Sequence, residues 1–184
     1  MDCHRIYARI DLGAIRQNIS LVRSRIPANT RLMLVVKADA YGHGAAVLAK
    51  ETEAEADYFA VAAIDEALEL REAGITKPIL VLGCTSPQLF GVALEHDITL
   101  TIFSAERAKI LSNTAKSLGK PARVHFAVDT GMGRIGWNVS EESADEAAAV
   151  ARMPLIEIEG IFSHFVRADE ADKTASLVQK EQFD

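Results

Sequence analysis

The sequence predicts an α/β fold built on a parallel sheet, and three observations carry that expectation. Short apolar runs alternate with amphipathic segments along all 184 residues. The runs are rich in Val, Ile and Leu rather than strictly alternating, as in strands buried on both faces. Lys37, Arg134 and His164 stand at or just beyond the ends of such runs, which is where parallel sheets place their chemistry.

Each element has its own justification. Residues 5–11 form a first short run, and a helix over 14–26 follows Asp11. Leu32-Met33-Leu34-Val35-Val36 reads as a strand over 32–37 that ends in Lys37, and Gly42-His43-Gly44 turns the chain into a helix over 44–55. A strand at 58–63 leads to a helix over 65–73, closed by Gly74 as a C′ glycine. After the strand 79–83, Ser86 and Pro87 read as the N-cap and first position of a helix over 87–95. The strand 98–103 meets Ser104, the cap of a helix over 105–118 that Gly119 closes. A strand at 123–129 comes next. Ser140 then opens a helix over 141–152, with Glu141 and Glu142 at its positive end. The strand 157–165 and a helix over 171–184 complete the series.

Counted from 32–37, there are six strand–helix units. A closed parallel (β/α)8 barrel of the TIM type needs eight; a doubly wound open sheet of six strands competes with it, and the pattern alone leaves both open. No linker or low-complexity tract divides the chain, so residues 1–184 read as one domain. The run at 5–11 can stand outside a barrel. The last helix has no stop signal. On the barrel reading the chain is therefore expected to be a fragment with two unpaired strand edges.

Composition narrows the function classes. The chain is 49% hydrophobic, 25% charged and 6% aromatic, enough to bury a core. A net charge of −6 disfavours nucleic acid and anionic lipid as partners. No run of 18 apolar residues suggests a membrane span, and Met1-Asp2-Cys3-His4-Arg5 does not read as a signal peptide. Cys3 and Cys84 read as free thiols of a reducing, cytoplasmic compartment. The five histidines have no metal-binding spacing, so no metal is expected.

Three segments carry candidate chemistry. In Val35-Val36-Lys37-Ala38-Asp39-Ala40-Tyr41-Gly42-His43-Gly44, a lysine desolvated at a strand end becomes a Schiff-base nucleophile. Tyr41 offers a hydroxyl to a phosphate, and the glycines before a helix allow an anion to approach the backbone. In Val128-Asp129-Thr130-Gly131-Met132-Gly133-Arg134-Ile135-Gly136-Trp137, the glycines formally match a dinucleotide fingerprint. That fingerprint needs a helix to start within it, and the next helix signal waits until Ser140. Arg134 suits a carboxylate or oxygen anion. In Gly160-Ile161-Phe162-Ser163-His164-Phe165 a histidine ends a buried strand. Taken singly, the plainer readings are a solvated lysine, a glycine turn with a surface arginine, and a core histidine. Together the three converge on one face of a barrel or sheet.

In this order, the three segments resemble the N-terminal signatures of bacterial alanine racemases. Arg9-Ile10-Asp11-Leu12-Gly13-Ala14-Ile15-Arg16-Gln17-Asn18 is similar to the family's start. The resemblance implies a pyridoxal 5′-phosphate (PLP) enzyme interconverting L- and D-alanine for peptidoglycan by two-base proton transfer at Cα. Lys37 is implied to hold the cofactor and to act as the base on one Cα face. Tyr41 is implied to bind the phosphate, Arg134 to bind the substrate carboxylate and the cofactor's phenolic oxygen, and His164 to orient an arginine at the pyridine nitrogen. Many relatives carry a lysine that props the arginine where this chain has Ala127. The resemblance further implies that the remaining barrel strands and a C-terminal β domain lie outside the chain. Residues 1–11 would pair with that domain, and a tyrosine base would come from it across a homodimer, so this portion alone is expected to be inactive. Competing readings are a racemase for another amino acid such as serine, a non-catalytic PLP-binding barrel, and a nucleotide-binding oxidoreductase.

Overall fold

The computed structural model describes residues 7–184. Its strands are β1 (Met33–Val35), β2 (Tyr58–Val61), β3 (Ile79–Val81), β4 (Ile98–Ile102), β5 (Ala122–Asp129), β6 (Trp137–Asn138) and β7 (Ile156–Phe162). Every pairing is parallel. The order runs β1-β2-β3-β4-β5, after which β7 pairs with β5 and the two-residue β6 adds to the C-terminal end of β5.

This order settles what the pattern left open. It never reverses, so right-handed crossovers place successive helices on one face of the sheet. A doubly wound sheet reverses at a switch point and carries helices on both faces. Curvature is the second sign of a barrel. The Tyr58 hydroxyl on β2 donates to the Glu159 carboxylate on β7 at 2.6 Å. In a flat sheet those strands, four spacings apart, would be separated by about 19 Å.

Period-2 alternation divides the apolar residues between two layers. Phe59, Val61, Ile79, Val81, Leu100 and Val124 face the helices and pack with Leu70, Phe90 and Leu111. Tyr58, Ala60 and Leu80 form a smaller inner cluster with Met33, Leu82 and Phe162. Both faces of β2 are therefore covered, which explains its unbroken apolar run.

The helices are α1 (Leu12–Arg25), α2 (Lys37–Gly42), α3 (Ala45–Thr52), α4 (Ile64–Glu72), α5 (Phe90–Glu95), α6 (Ala105–Leu118), α7 (Glu141–Ala151) and α8 (Thr174–Phe183); a 3-10 turn, Pro87–Leu89, leads into α5. Asp11, Ser104 and Ser140 accept N-terminal amides as caps, and Gly119 closes α6 in the left-handed conformation. Residues 7–11 pair with no strand among the described residues, and residues 5 and 6 of the expected first run lie outside them. β6 and the handedness of α2 depart from the sequence expectation, and both lie at the site.

Candidate active site

The strand expected over 32–37 ends at Val35, and Lys37 begins a turn of the opposite hand. Ala38, Asp39, Ala40 and Tyr41 all have φ between 50° and 56°, with ψ between 37° and 50°. None is glycine, and the left-handed conformation costs L-residues roughly 1–2 kcal/mol each. Side chains from elsewhere over-determine the turn. Glu66, on the first turn of α4, accepts the Ala38 amide at 2.6 Å, the Ala62 amide at 2.6 Å and the Ala63 amide at 3.2 Å. The Asp39 carboxylate accepts the Ala45 amide at 2.7 Å, closing the N-terminus of α3. On the strand side the Val36 amide donates to the Ala60 carbonyl at 2.8 Å. The Lys37 backbone is thus held by bonds on both sides, and its Nζ lies 5.9 Å from the centroid of the Tyr41 ring.

The Arg134 loop is shaped by composition instead. Gly131, Gly133 and Gly136 take its positive φ angles. Gly136 has no alternative, because a Cβ there would sit 2.5 Å from the Asp129 amide nitrogen. Asp129 accepts the amides of Gly131, Gly133 and Arg134 at 2.9, 3.0 and 3.1 Å. The Gly133 and Gly131 bonds lead in holding its carboxyl below the usual carboxylate range. The loop then enters β6, where Trp137 packs edge-on against Phe126 with centroids 4.9 Å apart. No helix starts among the glycines, so the dinucleotide fingerprint lacks the element that would bind a pyrophosphate.

His164 follows β7. Partial desolvation, then the charges of Arg134 and Lys37, lowers its pKa. The imidazole is therefore held neutral near pH 7. The Gln179 side-chain amide on α8 donates to the His164 carbonyl at 3.0 Å.

Lys37, Tyr41, Arg134 and His164 all line one cavity of about 460 Å³ at the C-terminal ends of the strands. Met33, Val35, Leu82 and Ala127 supply apolar wall, and His125 contributes from the barrel interior. Among the described residues, no acidic side chain pairs with Lys37 or Arg134. Two cations without counter-ions beside apolar walls suit a flat, anionic ligand. PLP fits that description: an aldehyde for the lysine, a phosphate and phenolic oxygen for donors, and a ring for the walls. The Ala127 side chain leaves the Arg134 guanidinium without a partner from that position; the backbone bond to Asp129 holds the loop instead. Groups of acidic, histidine and cysteine residues able to hold a metal are absent among the described residues.

Sequence reasoning missed Glu66, Gln179 and His125. Glu66 lies 28 residues from the amide it holds. Gln179 sits on a helix whose sequence reads as surface. His125 packs its ring over Gly160, where a Cβ would come within 2.7 Å of the imidazole, and its Nε2 is buried without a hydrogen-bond partner. The signal available for this pair was a glycine in the interior of a strand, which marks close approach.

A profile of the alanine racemase N-terminal domain family matches residues 10–184. An alanine racemase of Desulforamulus reducens is 46% identical over 179 residues, covering 97% of this chain and 48% of that protein. The structure of an alanine racemase of Clostridium difficile 630, in complex with cycloserine, superposes with a TM-score of 0.92 at 41% identity, covering 94% of this chain and 48% of that one. A histidine racemase from Leuconostoc mesenteroides superposes with a TM-score of 0.85 at 28% identity, covering 94% and 46%. The chain spans about half the length of the curated relatives it matches.

Proposed function

This chain belongs to the alanine racemase N-terminal domain family, and from that premise we propose that it serves the PLP-dependent interconversion of L- and D-alanine. One observation carries the reading: Lys37, Tyr41, Arg134 and His164, drawn from three separate motifs, line a single cavity whose two cations lack acidic partners among the described residues. When bound, PLP supplies the electron sink that acidifies the substrate Cα–H.

The chain's own residues divide the remaining work. Lys37 Nζ would hold the cofactor's aldehyde carbon, and its amine would hold or return a proton on one face of the substrate Cα. Tyr41 donates its hydroxyl to the phosphate. Arg134 takes the substrate carboxylate and the cofactor's phenolic oxygen in a forked grip, at a height that Asp129 sets through the loop backbone. His164, kept neutral by its surroundings, orients the group at the ring nitrogen without adding a competing charge.

The proposal extends to a cytoplasmic homodimer that supplies D-alanine for peptidoglycan, with the base for the opposite Cα face coming from a C-terminal β domain. A racemase for another amino acid is the second reading, since a histidine racemase shares this fold. Turnover of a panel that includes alanine, serine and histidine separates the two. The central assignment is tested by borohydride trapping of added PLP, followed by peptide mapping. Label on Lys37 is expected, and label confined to any other lysine rejects it.

A further inference from the structure

Helix α8 is fastened by an unusual kind of residue. Gln179 is its one buried residue, 4% exposed, while the neighbouring Leu177 and Val178 face outward. Apolar anchors hold a helix without regard to direction. A buried amide fixes both distance and direction, and leaving one of its partners unpaired costs more than the bond contributes.

The Gln179 amide makes three hydrogen bonds. Its Nε2 donates to Thr130 Oγ1 at 3.0 Å and to the His164 carbonyl at 3.0 Å, and its Oε1 accepts the Val166 amide at 2.9 Å. Thr130 is itself buried, and its hydroxyl lies 2.7 Å from that of Ser163. The Gln179 side chain also packs against Gly131, where an added Cβ would meet its Cγ at 3.7 Å. One side chain therefore bonds to the root of the Arg134 loop and to both sides of Phe165 in the His164 loop.

We propose that Gln179 is a positioning residue of the site: its amide fixes the spacing between the Arg134 loop and the His164 loop and ties both to α8. This rests on the reading of Arg134 and His164 as ligand-binding residues and adds that they are held as a pair. A displacement of α8 moves both loops together.

Substitution at both ends of the bond tests the coupling. Gln179→Met keeps the length and most of the volume while deleting the hydrogen bonds. Thr130→Val removes only the hydroxyl, and Thr130→Ser retains it. The readouts are amide hydrogen exchange, the emission of Trp137, and the affinity for added PLP. Trp137 is the chain's single tryptophan and sits three residues beyond Arg134. Gln179→Met and Thr130→Val are each expected to accelerate exchange at Gly131 and Gly133, shift the emission and weaken PLP binding, by about tenfold or more where a rate or affinity is read. Thr130→Ser should behave as the unsubstituted chain, and the double variant should fall little below the worse single one. Faster exchange confined to α8 and Val166, with Gly131 and Gly133 unmoved, overturns the proposal and leaves Gln179 a mere packing residue. If Gln179→Met does not fold, the Thr130 pair decides alone. Arg134→Gln separates the layers: unchanged PLP affinity there defeats the functional reading, while exchange still judges the coupling.

Discussion

The Lys37 turn and the Arg134 loop face each other across one cavity, and they reach unusual backbone conformations by opposite routes. Each is tied by a carboxylate that accepts three backbone amides: Glu66 joins the Ala38 amide of the turn to the Ala62 and Ala63 amides beside α4, whereas Asp129 accepts three amides of its own loop. In the Arg134 loop the positive φ angles fall on glycines, so the conformation is nearly free of strain. In the Lys37 turn they fall on two alanines, an aspartate and a tyrosine, so the conformation exists only while other elements enforce it. The Arg134 loop is relaxed; the turn that carries Lys37, the proposed nucleophile, is held under load. A lysine on such a turn has little freedom to wander, which favours proximity and orientation over adaptability.

The sharpest way to break this contrast is to burden the relaxed loop. Gly136→Ala would place a Cβ 2.5 Å from the Asp129 nitrogen and 2.7 Å from the Val128 carbonyl carbon. Since the backbone there cannot yield cheaply, a loss of about 2–4 kcal/mol is expected in denaturant unfolding. Next, Glu66→Ala removes the clamp from the strained turn. It should cost about 1–3 kcal/mol and reduce borohydride-trapped PLP at Lys37, whereas Asp129→Asn should lower PLP retention with less effect on trapping at Lys37.

A pH series sharpens the comparison further. The Asp129 carboxyl is held below its ordinary value by the Gly133 and Gly131 amides. A depressed carboxyl contributes stability that is present above its unfolded pKa of about 3.9 and is lost as pH falls through the lower folded value. Acid titration of unfolding should therefore show a destabilising step below about pH 4, diminished in Asp129→Asn. The smallest effect is expected from Gly133→Ala. Its φ is +69°, but nothing lies within 4 Å of the added Cβ, so only the conformational cost of about 1 kcal/mol remains. Measured beside Gly136→Ala, it separates backbone strain from collision.

Much of this arrangement was legible in the chain. Ser104, Gly119 and Ser140 marked helix ends through local chemistry, and three strand-end motifs pointed to one mouth. Local rules could not choose between barrel and open sheet, because that choice lies in strand order and curvature. Nor could they show the handedness of Lys37–Gly42: Ala-Asp-Ala-Tyr contains no glycine to announce it, and the groups that enforce it include Glu66, far along the chain. The role of Gln179 was hidden for the same reason, since a glutamine on a helix gives no sign of partners on two distant loops.

The bond between Tyr58 and Glu159 also bears on how the molecule assembles. Its partners are 101 residues apart, and they meet only after the strands between them have formed and curled. Closing so large a span has an entropy that must be met before the contact gives anything back. Loss of the hydroxyl in Tyr58→Phe should therefore leave the refolding rate nearly unchanged and speed unfolding, the kinetic mark of a latch fastened after the rate-limiting step.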